Sequence, residues 1–171
     1  MMEGIVATYD PARPYGVEAL ADAFRAVLGG SAEQWIGLAP AAGPLADHLT
    51  HWLGTRDREP LSPEATAEIA HRALVHMSQS RPIYLWLDDL DSARDGGVEL
   101  AATLLAKQDA RVLVVATVRG TKSELARSLA APIGAHRSSI VIELGALEPP
   151  ARRELVRTFA PLAPSVIEDL S

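Results

Sequence analysis

Two patterns of apolar residues alternate along this chain. Short continuous runs read as strands: IYLWL over Ile83–Leu87, VLVVATV over Val112–Val118 and SIVIEL over Ser139–Leu144. GIVATYD, Gly4–Asp10, reads the same way. Between them lie stretches with apolar residues at helical spacing. Val17, Leu20, Phe24, Val27 and Leu28 share one helical face, and Gly29-Gly30 stop that helix. Leu45–Leu53 predicts a short amphipathic helix. Ser62-Pro63-Glu64 is a strong helix start, with an N-cap hydroxyl, a proline at the first position and an acid in the first turn. That helix is expected to reach about Gln79 and to bury Ile69, Ala73, Leu74 and Met77. Further helices are expected over Val98–Lys107, Lys122–Ala130 and Leu147–Phe159, the last opened by Pro149 and Pro150. Trp35–Pro44 and Thr55–Pro60 read as irregular. Strands alternating with helices predict an α/β fold. Strands without polar alternation predict a three-layer sandwich, its mostly parallel sheet covered on both faces.

Composition narrows the function. The 171 residues suffice for a real core. A net charge of −6 argues against a nucleic-acid or anionic-membrane surface, which needs clustered Lys and Arg. Cysteine is absent, so disulfides and thiolate-bound zinc are excluded. No apolar run approaches the roughly 18 residues of a membrane span, and the N-terminus lacks the features of a signal peptide. The expected compartment is the cytoplasm. Only Lys107 and Lys122 are available as phosphate-gripping lysines, and neither follows a glycine loop.

The chemistry concentrates at two strand ends. Ile83–Leu87 runs directly into Asp88-Asp89. A buried strand delivers carboxylates at its C-terminal end, where parallel sheets open into a ligand crevice. Paired carboxylates there suit holding Mg²⁺ beside a nucleotide phosphate and ordering an attacking water. This is the Walker B arrangement. No G-x-x-x-x-G-K-[ST] phosphate loop occurs in the 171 residues. Thr117 and Arg119 close the next strand, where a guanidinium can sense a γ-phosphate or pair with Asp88 or Asp89. Asp91 and Asp95 read as solvated loop acids. His48 and His51, or His71 and His76, lack the further ligands zinc requires. Trp35, Trp52 and Trp86 read as packing residues.

RPIYLWLDDLD, Arg81–Asp91, resembles the Walker B strand of STAND-type signalling ATPases, a branch of the AAA-like P-loop NTPases. VLVVATVRG, Val112–Gly120, resembles the strand that follows it in that group, with Thr117 and Arg119 matching its closing threonine and arginine. IELGALEPPARRELVRTF, Ile142–Phe159, is similar to the strand and helix that open the lid, and Ala12–Leu28 to the segment after the first helix. The resemblance implies a metal ligand at Asp88, a water-activating Asp89, nucleotide contacts from Thr117 and Arg119, and Mg²⁺ with ATP or ADP in the intact protein. It implies a partial nucleotide-binding core over 1–145 and the start of a helical lid over 146–171. The family's first strand, phosphate loop and first helix are expected to precede residue 1. ATPase activity is therefore expected only once a Walker A segment completes the site.

In that family the first strand lies mid-sheet. Its absence predicts an exposed strand edge, with three repairs: the Ser139–Leu144 strand moves beside Val112–Val118, the chain self-associates, or another segment fills the gap. The alternative reading is a degenerate, non-catalytic module that works through protein–protein contact or dimerisation. A Rossmann-like small-molecule domain lacks its glycine fingerprint here.

Overall fold

The structure, a computed structural model, describes residues 3–10, 12, 18–29, 43–54, 61–120 and 140–159. The chain divides into two units, Met1–Ser139 and Ile140–Ser171.

In the first unit, apolar β-prone residues form three strands: β1 (Glu3–Thr8), β2 (Ile83–Asp88) and β3 (Val112–Ala116). They pair in the order β1-β2-β3, all parallel, with Glu3 opposite Ile83 and Ile83 opposite Val112. Helices connect them, as parallel pairing requires: α1 (Ala19–Leu28), α2 (Gly43–Leu53) and α3 (Pro63–Ser78) lie between β1 and β2, and α4 (Gly97–Lys107) lies between β2 and β3. The α/β class with a parallel sheet is therefore observed.

Register decides which side chains meet the helices. Ile5, Leu85 and Val114 stand side by side, as do Ala7, Leu87 and Ala116. Ile5, Ala7, Ile83, Leu85 and Leu87 are buried, and they form one core with Leu20 and Phe24 of α1, Leu49 of α2, Leu74 of α3 and Leu100 of α4. The opposite face is open. Val6, Trp86 and Val115 stand in register there with 52%, 38% and 37% of their surface exposed, and Leu113 is exposed by 55%. The apolar runs predicted cover on both faces, but among the described residues the helices cover only one. The second helical layer is not found there, and the helix expected over Lys122–Ala130 lies outside the described residues. The outer edge of β3 pairs with no strand among the described residues.

Helix ends follow local chemistry. Ser62 Oγ accepts from the Ala65 N–H at 3.2 Å, which fixes the start of α3 where Ser-Pro-Glu predicts it. Ile69, Ala73 and Leu74 are buried on its inner face, and Met77 packs against the same core. Arg111, just before β3, closes the far end of that helix by donating to the carbonyls of Ser78 and Gln79. Arg25 of α1 donates through Nε to the Leu53 carbonyl at the end of α2 and pairs with Glu18 and Asp22. Trp52 lies against Phe24 with ring centroids 5.0 Å apart.

In the second unit, α5 (Pro149–Phe159) starts at its two prolines as expected. The strand expected over Ser139–Leu144 is a correction: residues 140–148 carry no regular structure, and Ile140, Val141, Ile142 and Leu144 are exposed (Ser139 itself lies outside the described residues). Branched apolar residues favour a strand, but a strand exists only when a neighbour takes its N–H and C=O groups. The expected move of this segment beside β3 is accordingly not seen among the described residues.

Candidate functional site

β2 and β3 end side by side, and parallel pairing puts both ends at the same edge of the sheet. Asp88 is the last residue of β2, and Thr117 follows β3 directly. The ladder continues past both strands: the Thr117 N–H donates to the Leu87 carbonyl at 3.0 Å, and the Leu90 N–H donates to the Thr117 carbonyl at 2.9 Å. Thr117 Oγ1 donates to Asp88 Oδ1 at 2.7 Å and accepts from the Asp89 N–H at 2.8 Å. Asp89 turns the chain sharply, with φ 54° and ψ 43°, a left-handed conformation that costs a non-glycine residue about 1 kcal/mol. A short 3-10 turn, Leu90–Ser92, follows.

Arg119 is held over this acidic turn. Its Nε lies 3.3 Å from Asp89 Oδ1 and 3.6 Å from Asp91 Oδ2. Its backbone N–H donates to Asp91 Oδ1 at 3.1 Å, and its Nη2 donates to Ser92 Oγ at 3.2 Å. All four sequence-predicted site residues therefore meet at one strand end. The pairing expected of Arg119 falls on Asp89, not on Asp88. Asp91 joins the same cluster; read from sequence as a solvated loop acid, it lies at a half-buried position where it anchors Arg119 twice.

Asp95 is the residue that sequence reasoning missed. Its Oδ2 accepts from the Leu20 N–H at 2.9 Å and so caps α1 from 75 residues away. Glu18, at the cap position of α1, makes no side-chain cap of its own. The missing Ser, Thr, Asp or Asn there was the available signal that a cap comes from elsewhere. Tyr9 lies within reach of the Asp95 charge. Tyr9 Oη and Asp95 Oδ1 are buried with no partner in hydrogen-bonding geometry. Burial, reinforced by the Asp95 charge, pushes the Tyr9 hydroxyl far above its ordinary range. Burial also raises Asp95, against the lowering effect of the Leu20 N–H.

The raised Asp95 carries a prediction with a definite sign. In the window between the ordinary carboxylate range and its raised folded value, the native state binds the proton more tightly than the unfolded state does. Stability from this group is therefore full below that window and lost as pH rises through it. Asp95→Asn keeps an acceptor for Leu20 and removes the titration. Thermal midpoints taken from about pH 4 to pH 8 are expected to show wild type losing ground to the variant as pH rises. Parallel curves would contradict the assignment. His71–Asp109 acts in the opposite direction and cancels in the comparison. There His71 Nε2, 2.8 Å from Asp109 Oδ1, holds Asp109 below the usual carboxylate range.

Among the described residues, no group of three or more His, Asp or Glu side chains converges to hold a metal ion by itself. Asp88 offers one oxygen beyond the one held by Thr117. Such a carboxylate fits a Mg²⁺ that takes its other ligands from water and phosphate oxygens, the usual manner for this ion. Also among the described residues, no helix is long and apolar enough to cross a membrane. Compared with protein-family models, curated proteins and solved structures, the chain matches none.

Proposed function

We propose that this chain carries the carboxylate half of an ATP-dependent switch site, as part of the nucleotide-binding core of a STAND-like signalling ATPase. The observation that carries the reading is the junction of β2 and β3, where Asp88, Asp89, Thr117 and Arg119 meet at the ends of adjacent parallel strands. In this reading Asp88 holds Mg²⁺ and Asp89 orients the water that attacks the γ-phosphate. Arg119 moves from Asp89 and Asp91 to the phosphate when nucleotide is present. Bound Mg·ATP supplies the phosphoanhydride and the charge that draws Arg119 away. The outer edge of β3, which pairs with no strand among the described residues, supports the reading, because the first strand of such a core and its phosphate loop would lie there.

In the complete protein, Asp88→Ala is expected to lower Mg²⁺-dependent ATP hydrolysis by more than about a hundredfold, the scale of losing one electrostatic partner. Unchanged turnover would sink the assignment. For the chain alone, calorimetry is expected to give Mg·ATP binding weaker than about 1 mM, because the phosphates lack the loop that cradles them.

A second reading is favoured by a different observation, the open apolar face of Val6, Trp86, Leu113 and Val115. It makes the chain a non-catalytic module that acts through protein–protein contact or dimerisation. Absence of ATP turnover in the complete protein, with a dimer in light scattering, would support it over the first.

A further inference from the structure

Thr117 makes four hydrogen bonds, and all of them go to four consecutive residues of one neighbouring segment. Its N–H donates to Leu87 and its carbonyl accepts from Leu90. Its hydroxyl proton goes to Asp88 Oδ1, and a hydroxyl lone pair takes the Asp89 N–H. A threonine hydroxyl has one proton, and here it is spent on a carboxylate. The two backbone bonds are available to any residue at this position. The two hydroxyl bonds are not, and they fall on the pair of acids to which the proposed chemistry assigns the metal and the water.

We infer that Thr117 is a positioning residue for Asp88 and Asp89 rather than a contact to the nucleotide; the inference deepens the switch-site reading and rests on it for its catalytic half. Asp89 sits in a left-handed conformation that an L side chain adopts only when its surroundings fix it. The lone pair from Thr117 fixes its N–H, while Ser92 donates to its carbonyl at 2.8 Å. The same hydroxyl holds one oxygen of Asp88, which sets the direction of the other. One side chain thus holds the carboxylate of Asp88 and the backbone from which the Asp89 carboxylate projects.

The test compares Thr117→Val, which keeps the shape and removes the hydroxyl, with Thr117→Ala and with Thr117→Ser, which restores the hydroxyl. Amide hydrogen exchange, followed by NMR without nucleotide, is expected to quicken about tenfold at Asp89 in the Val and Ala variants. At Leu90 and Thr117, whose amide bonds are to backbone, it is expected to stay within about twofold. The Ser variant is expected to match wild type. Unchanged Asp89 exchange in the hydroxyl-free variants, or a Ser variant that behaves like Val, would overturn the inference. In the complete protein, Thr117→Val is expected to lower kcat about tenfold or more while KM for ATP stays within about twofold. A raised KM with unchanged kcat would mark a direct nucleotide contact and would also overturn it. The exchange result stands whether or not nucleotide binds, so failure of the switch-site reading and failure of this inference are separately visible.

Discussion

Gly96→Ala is expected to cost about 3 kcal/mol of folding stability, from left-handed strain plus overpacking. For a unit of this size that is a fall of roughly 10 °C in Tm. Gly96 has φ 98°, and a Cβ there would stand 2.5 Å from the Pro63 carbonyl oxygen and 3.1 Å from Thr66 Cβ. Neither neighbour can yield cheaply, because Pro63 opens α3 under the Ser62 cap and Thr66 is buried. The next residue is as tight: a Cβ at Gly97 would overlap Tyr9 Oη and stand 3.2 Å from Leu90 Cδ1. Gly97→Ala is therefore expected to displace the Tyr9 ring and to destabilise by a similar amount. Gly145→Ala is the control, since nothing lies within 4 Å of its added methyl; a change within about 0.5 kcal/mol is expected. Urea denaturation followed by circular dichroism decides between these outcomes. Equal midpoints for Gly96→Ala and Gly145→Ala would mean that the start of α4 does not pack on α3 as described.

Phe24→Ala is expected to cost about 3–5 kcal/mol. Phe24 is fully buried on α1 and belongs to the core shared with β1 and β2. Its ring also meets Trp52 of α2 at 56°. Truncation removes a fully buried ring of the core shared with the sheet that also meets α2 through Trp52, and the polar ends of α1, held by Asp95 and Arg25, prevent the helix from collapsing into the cavity. Phe24→Leu, which refills most of the space, is expected to cost about 1.5 kcal/mol or less. Urea midpoints for the two variants, with Trp52 fluorescence as the local probe, check both values. A loss below about 1 kcal/mol for Phe24→Ala would mean that α1 is not docked on the sheet.

The local parts of this structure were legible in the sequence. Ser62-Pro63-Glu64 announced α3 because its cap lies within three residues of it. Asp88 and Asp89 could be placed at a strand end because the apolar run before them cannot tolerate a charge. The meeting of Asp89 with Arg119 followed from two such strands ending together. What failed depended on partners distant in sequence. Ile140–Leu144 has the residue types of a strand but pairs with no strand among the described residues, and composition cannot supply a partner. Tyr84 and Trp86 read as buried because a continuous apolar run looks alike whether one face or both are covered; they instead stack edge-on, with centroids 6.3 Å apart, on the open face. Asp95 looked like a surface acid because the N–H it caps is that of Leu20.

The parallel pairing of Glu3 with Ile83 sets an order of events during synthesis. At about 5–20 residues per second, β1 leaves the ribosome roughly 4–16 s before β2 exists to pair with it. Ile5 and Ala7 spend that interval with no sheet to join, while α1, α2 and α3 emerge one after another. The contacts open to the nascent chain in that interval are those of α1 with β1, then Phe24 on Trp52 and Arg25 on the end of α2. The cap of α1 comes later still, because Asp95 is translated after β2 is complete. The young polypeptide holds β1 and the start of α1 in waiting until β2 and then Asp95 arrive to fasten them.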